Sequence, residues 1–231
     1  MKMKRFTQVF LLLLTLSMFA FSFETKAQDE EDIKRAKFKY NRSVRYNDFQ
    51  SAKNAMYDLM ALQPDNASYL DSLALIYFKF NQYASAALAS RDALSVNPNN
   101  QMMLQISAQS LNQLGALDQS LKAYQRLYNI TDDAFVLYEV IQKQYALKKY
   151  DDAMLNIELL LGKPIVDGSE VYVNNSDGKE IQVPFKAVIF NMQGSIAKAK
   201  GDEESAKKYF NNALKLAPNY ALAKENLNTG N

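Results

Sequence analysis

One pattern, about 34 residues long and repeated along nearly the whole chain, constrains this sequence more than any other feature. It is clearest from Ser68 to Pro98. There Leu70, Leu73, Ala74, Tyr77 and Phe80 fall at helical spacing, and Ala86, Ser90, Ala93 and Leu94 repeat that spacing after the Asn81-Gln82 break. A helix, a turn and a second, antiparallel helix follow. Counting from Ala67, large residues stand at positions four, seven and eleven and small ones at eight and twenty; Pro98 closes the unit at thirty-two. Small residues let the two helices approach closely, and a proline that cannot extend the second helix forces the next unit to start afresh.

The register recurs. A first unit, about 33–66, carries Ala36, Tyr40, Tyr46, Phe49, Ala52, Met56, Leu59 and Pro64; the second is 67–100. The third, 101–133, keeps Leu104, Ala108, Leu111, Leu117, Ser120, Tyr124 and Leu127 but ends on Thr131-Asp132-Asp133, where Thr131 or Asp132 is expected to cap the following helix. The fourth, 134–162, carries Leu137, Val140, Ile141, Ala153, Ile157 and Leu160, with Gln144 in place of a large apolar residue at its eleventh position. The fifth, 187–220, runs through Phe190, Gly194, Ala197, Ala206, Phe210, Ala213 and Pro218, and residues 219–227 read as a capping helix over the last apolar face. Between them, 163–186 breaks the period. Val171-Tyr172-Val173 and Ile181-Gln182-Val183 read as short strands joined through Ser176-Asp177-Gly178. A lone hairpin is marginal in water, so its apolar residues must lie on the helices or on a partner.

These units resemble the tetratricopeptide repeat (TPR). The resemblance implies an all-α fold, a right-handed TPR superhelix (α-solenoid) of five helix-turn-helix repeats with a small β-hairpin insertion and a C-terminal capping helix, and a concave groove that binds protein or peptide.

The start of the chain is different. Lys2, Lys4 and Arg5 precede an apolar run from Val9 to Phe23 and the small-residue site Thr25-Lys26-Ala27, the pattern of a secretory signal peptide over residues 1–27. A retained membrane anchor is the competing reading, although the run is shorter than the roughly 20 residues that span a bilayer. Absence of cysteine removes disulfides and the lipid-attachment residue of a bacterial lipoprotein. A product that is exported, periplasmic or secreted, soluble or peripherally attached, with no integral span after cleavage, is expected. Loss of Lys2, Lys4, Arg5, Lys26 and Glu24 takes 27 basic and 25 acidic residues to 23 and 24, a net charge of −1 that offers no general attraction to nucleic acid.

Catalytic chemistry finds little footing. Histidine is absent as well as cysteine, which excludes zinc ligation of the usual kind, Ser-His-Asp triads and thiol nucleophiles, and no Gly-rich phosphate loop is present. The carboxylate pairs Glu30-Glu31, Asp132-Asp133, Asp151-Asp152 and Glu203-Glu204 lie at expected helix starts, where acids cap free amides and complement the helix dipole. No enzyme, cofactor or metal site is expected. The alternative is a carbohydrate-binding protein or carboxylate-dependent enzyme of the envelope, built on Tyr and acidic side chains.

Candidate binding residues come from position. Six basic residues and no acid lie from Ile33 to Tyr46, and Lys34, Lys37, Asn41 and Arg45 share one helical stripe. That stripe is either simply solvated or, as the resemblance implies, lines the groove. Some family members hold a peptide carboxylate with Lys and Asn at the positions of Lys37 and Asn41; Ser72, Met102 and Ile106 depart from the rest of that pattern. Gln105, Gln109, Tyr138, Gln142 and Tyr145 occupy groove positions of the third and fourth units, where amides can bond an extended backbone and Tyr supplies flat contact area. Tyr172, Val173 and Ile181 give the hairpin apolar area for docking a partner; as a cap on the groove it would serve equally.

Overall fold

A computed structural model of the protein describes residues 28–174 and 178–229, so the expected leader peptide and the middle of the hairpin turn lie outside the described residues. The chain divides into two compact units at Pro98 and Asn99, where the sequence pattern suggested one continuous array. The first unit holds α1 (residues 28–45), α2 (Phe49–Leu62), α3 (Ser68–Lys79) and α4 (Tyr83–Val96). The second holds α5 (Gln101–Gln113), α6 (Leu117–Thr131), α7 (Ala134–Ala146), α8 (Tyr150–Leu161), the short α9 (Ile165–Gly168), strands β1 (Glu170–Asn174) and β2 (Glu180–Pro184), α10 (Phe185–Ala199), α11 (Glu203–Leu216) and α12 (Ala221–Asn228).

Five helix pairs share one turn chemistry. After α1, α3, α5, α7 and α10 a single residue takes left-handed φ: Asn47 (55°), Asn81 (58°), Gly115 (72°), Lys148 (58°) and Gly201 (82°). In each case the next amide donates back to a carbonyl five residues earlier, from Asp48 to Ser43, Gln82 to Tyr77, Ala116 to Leu111, Lys149 to Gln144 and Asp202 to Ala197, at 2.8–2.9 Å. This is the Schellman closure, and it favours Gly or Asn at the left-handed position. Lys148 breaks that preference and pays the Cβ penalty of about 1–2 kcal/mol. Lys148→Gly should therefore raise stability by a net of about 0.5–1 kcal/mol after the extra chain entropy of glycine is deducted. A urea midpoint that moves up at unchanged slope would check this; a midpoint that moves down would contradict it.

Small residues set the helix spacing. In the first unit Ala52, Ala55, Met56 and Leu59 of α2 and Leu73, Ala74, Ile76 and Tyr77 of α3 are buried, and α4 contributes Ala86, Ala89, Ser90, Ala93 and Leu94. The Tyr77 hydroxyl meets that of Tyr57 at 2.7 Å, and burial with this bond pushes its phenol up to about 12. In the second unit Ser120 Oγ donates to the Ala108 carbonyl at 2.8 Å, marking the close approach of α5 and α6. Gln144, the polar residue at a position otherwise apolar, is buried and accepts from Asn156 Nδ2 at 2.8 Å across α7 and α8. That bond meets the cost of placing an amide in the core.

The junction before α7 departs from the sequence expectation. Asp133 is the cap, accepting from the amides of Phe135 and Val136, while Thr131 donates to the Leu127 carbonyl and Asp132 turns the chain at φ 49°. Asp132 also receives Lys163 Nζ at 2.7 Å, which ties the start of the insertion to this corner.

In the insertion β1 and β2 pair antiparallel, Val171 opposite Val183 and Val173 opposite Ile181. These four residues share one face and pack on the core of the second unit. Val173 and Ile181 are thus partly buried against that core, while Tyr172, on the opposite face, is 69% exposed. Pro184 ends β2 and α10 starts at Phe185, two residues before the expected unit boundary. At the other end α12 is fixed by Asn226 Nδ2 to Asn191 Oδ1 (3.0 Å), by Lys198 Nζ to Thr229 Oγ1 (2.9 Å), and by Leu227 against the Phe210 cluster.

Candidate functional site

Each unit leaves an uncovered polar face on the first helices of its pairs. In the first unit Ile33, Ala36, Tyr40 and Ser43 form the packed line of α1, and Lys34, Lys37, Asn41 and Arg45 are all exposed. Beside them lies an apolar cleft of about 130 Å³ lined by Tyr40, Val44, Phe49, Leu75 and Phe80, with Lys79 and Asp48 at its polar edge. Leu75 is 43% exposed although it sits in the middle of α3. This cleft was not anticipated from the sequence, yet its signal was there: Val44 and Leu75 occupy the same outward stripes as the charged candidates, where a polar residue is the ordinary choice.

The second unit divides the remaining candidates. On α5, Gln105 and Gln109 are half-buried one turn apart, and neither side chain bonds any described residue. On α7, Gln142 bonds the Tyr138 hydroxyl, and Tyr145 lies 6.0 Å from the Tyr150 ring. Tyr138 is held edge-on to Phe185 at 5.4 Å, and burial pushes its phenol up to about 12. It is thus a packing residue as much as a contact residue, and Tyr138→Ala will cost stability. Asn191 of α10 is buried and accepts from Asn226 of the terminal helix.

The acidic pairs are engaged in the fold. Asp151 receives Lys200 Nζ at 2.6 Å, Asp132 receives Lys163, Glu31 lies 3.7 Å from Arg35, and Glu203 and Glu204 sit in the first turn of α11. Lys143, buried on α7, pairs with Glu139 at 3.3 Å above the Tyr124 ring, whose phenol is raised by burial. Among the described residues no group of three or more acidic side chains is placed to hold a metal ion, and no helix is long and apolar enough to cross a membrane.

Comparison with known proteins agrees with this architecture. The tetratricopeptide repeat family profile matches residues 187–220, the fifth helix pair. The fold resembles YrrB, described as a TPR protein with an unusual peptide-binding site (TM-score 0.66, 17% identity, covering 87% of this chain and 95% of that one). It also resembles MamA (0.63, 16%, 80% and 92%) and residues 41 to the end of MamA from Desulfovibrio magneticus RS-1 (0.60, 12%, 80% and 94%). At such identities the likeness is one of fold. No curated protein sequence matches the chain. The chain is a helical-repeat protein of the tetratricopeptide fold with a small β-hairpin.

Proposed function

We propose that this chain is a non-catalytic module that binds protein or peptide, or scaffolds an assembly, in the cell envelope, after export directed by residues 1–27. The observation that carries the reading is that Gln105 and Gln109 of α5 and Gln142 and Tyr145 of α7 all stand half-open to solvent. Amides of this kind serve an extended backbone in either direction, and a neighbouring tyrosine adds apolar area at small entropic cost. The fold likeness to a protein described as having a peptide-binding site supports it. Lys34, Lys37, Asn41 and Arg45, beside the apolar cleft of the first unit, form a second contact region whose charges act mainly on association rate and its salt dependence. Tyr172 on the hairpin is a third.

Immobilised protein exposed to cell-envelope extract tests this. Retained polypeptide that is lost when Gln109 and Gln142 are both changed to Ala, with a melting curve that shows the variant still folded, is the expected result. For interface anchors the loss corresponds to about 2–4 kcal/mol. Retained glycan, or retention indifferent to the double change, would contradict it.

A further inference from the structure

α1 carries an outward face that the fold does not use and that shares only Lys34 and Arg45 with the contact region proposed above. At 100° per residue its packed line, Ile33, Ala36, Tyr40 and Ser43, lies opposite Lys34, Phe38, Arg42 and Arg45. Phe38 is 62% exposed, and Tyr46 just past the helix is 69% exposed. The Arg42 guanidinium stands 5.2 Å from the centroid of the Phe38 ring. The basic residues of this helix divide in two. Arg35 and Lys39 are paired, with Glu31 and Asp32 and with Asp58, whereas Lys34, Lys37, Arg42 and Arg45 make no ion pair with any described residue.

We propose that this outward face of α1 docks on an anionic lipid bilayer. The face is one exposed side of a helix, with the Phe38 ring at its middle and cations without ion pairs around it. Such a face suits a soft, planar, negatively charged surface, because an aromatic ring gains at the headgroup level and each nearby Lys or Arg is attracted by the surface potential. A peptide needs a groove, and the cleft beside Val44 and Leu75 lies on a different side of the helix from Phe38. The chain also places this helix close behind its apolar run: only four residues separate Phe23 from residue 28. The bilayer contact holds whether that run is a cleaved signal or an anchor.

Sedimentation of the full chain with vesicles of phosphatidylcholine alone, or of phosphatidylcholine mixed with phosphatidylglycerol, tests the proposal. Wild type should prefer the anionic vesicles, and the preference should fall with added salt. Lys34→Glu, Arg42→Glu and Arg45→Glu together should weaken binding to anionic vesicles at least about tenfold. Phe38→Ser should weaken it less but at all salt concentrations, and Arg42→Lys should retain it; melting curves establish that each variant is folded. Absence of a lipid preference, or anionic-vesicle binding unchanged by the charge reversal and therefore due to residues 1–27, would overturn the proposal. So would charge reversal that abolishes binding to polyglutamate while leaving vesicle binding intact, which would assign the face to an acidic polypeptide. Peptide capture through Gln109 and Gln142 is read separately, so either reading can fail alone.

Discussion

Phe185→Ala should destabilise the second unit by about 3–5 kcal/mol, the range for truncating a buried phenylalanine. The residue is only 1% exposed, and it is the point at which the array resumes after the insertion. Its ring stacks on Phe135 at 5.0 Å and receives the edge of Tyr138 at 5.4 Å, while its amide donates to the Ser169 carbonyl at 2.8 Å. Truncation would leave that amide bond in place but remove the aromatic bridge between α7 and α10, opening a void in the core of this unit. Repeats are stabilised by their neighbours, so α10 to α12 should lose hydrogen-exchange protection before α5 and α6 do. A urea titration showing a loss under about 1 kcal/mol, or protection lost evenly along the chain, would contradict this.

Gly194→Ala should also destabilise, although helix propensity alone predicts a gain of about 1 kcal/mol. A Cβ at this position would stand 2.4 Å from Phe210 Cε1 and 2.5 Å from Cδ1. The Phe210 ring cannot retreat easily, being 1% exposed and enclosed by Ala197, Ala206, Tyr209 and Leu227. Overpacking of a filled core costs about 1–3 kcal/mol, and a contact this short belongs at or above the upper end, so the net should be a loss of about 2 kcal/mol. The sign decides the matter. A thermal melt that rises would mean that α10 and α11 can separate at no cost.

How far the sequence carried this picture can be followed residue by residue. The 34-residue recurrence placed the five helix pairs because their turns are chemically fixed: Asn47, Asn81, Gly115 and Gly201 tolerate the left-handed φ that the Schellman closure demands. Lys148 does not advertise that conformation; its turn was legible only from the register around it. The hairpin strands were legible from their alternation, but the alternation names two faces without saying which one is covered. Tyr172 and Val173, grouped as one docking surface, are adjacent in a strand and so point to opposite sides. Their separation into an exposed and a packed residue follows from Val183 and Phe185 meeting the core. Tyr138 was read from its outward position, and no local signal announces that a phenylalanine 47 positions later folds back onto it. The apolar cleft escaped for a related reason, since Val44 and Leu75 come together only when α1 and α3 are packed. What the sequence conveyed best was the period and the absence of His and Cys; what it conveyed least was the tertiary neighbour of each outward side chain.

Site-specific photo-crosslinking in intact cells tests the central claim most directly. A benzophenone side chain is placed at Gln109 or Gln142, on the open stripe of α5 and α7, and at Lys122, exposed on α6, as the comparison. The account predicts discrete polypeptide adducts from Gln109 and Gln142 and none from Lys122. Equal adducts from all three positions, or none from the α5 and α7 stripe while the protein remains folded, would contradict it.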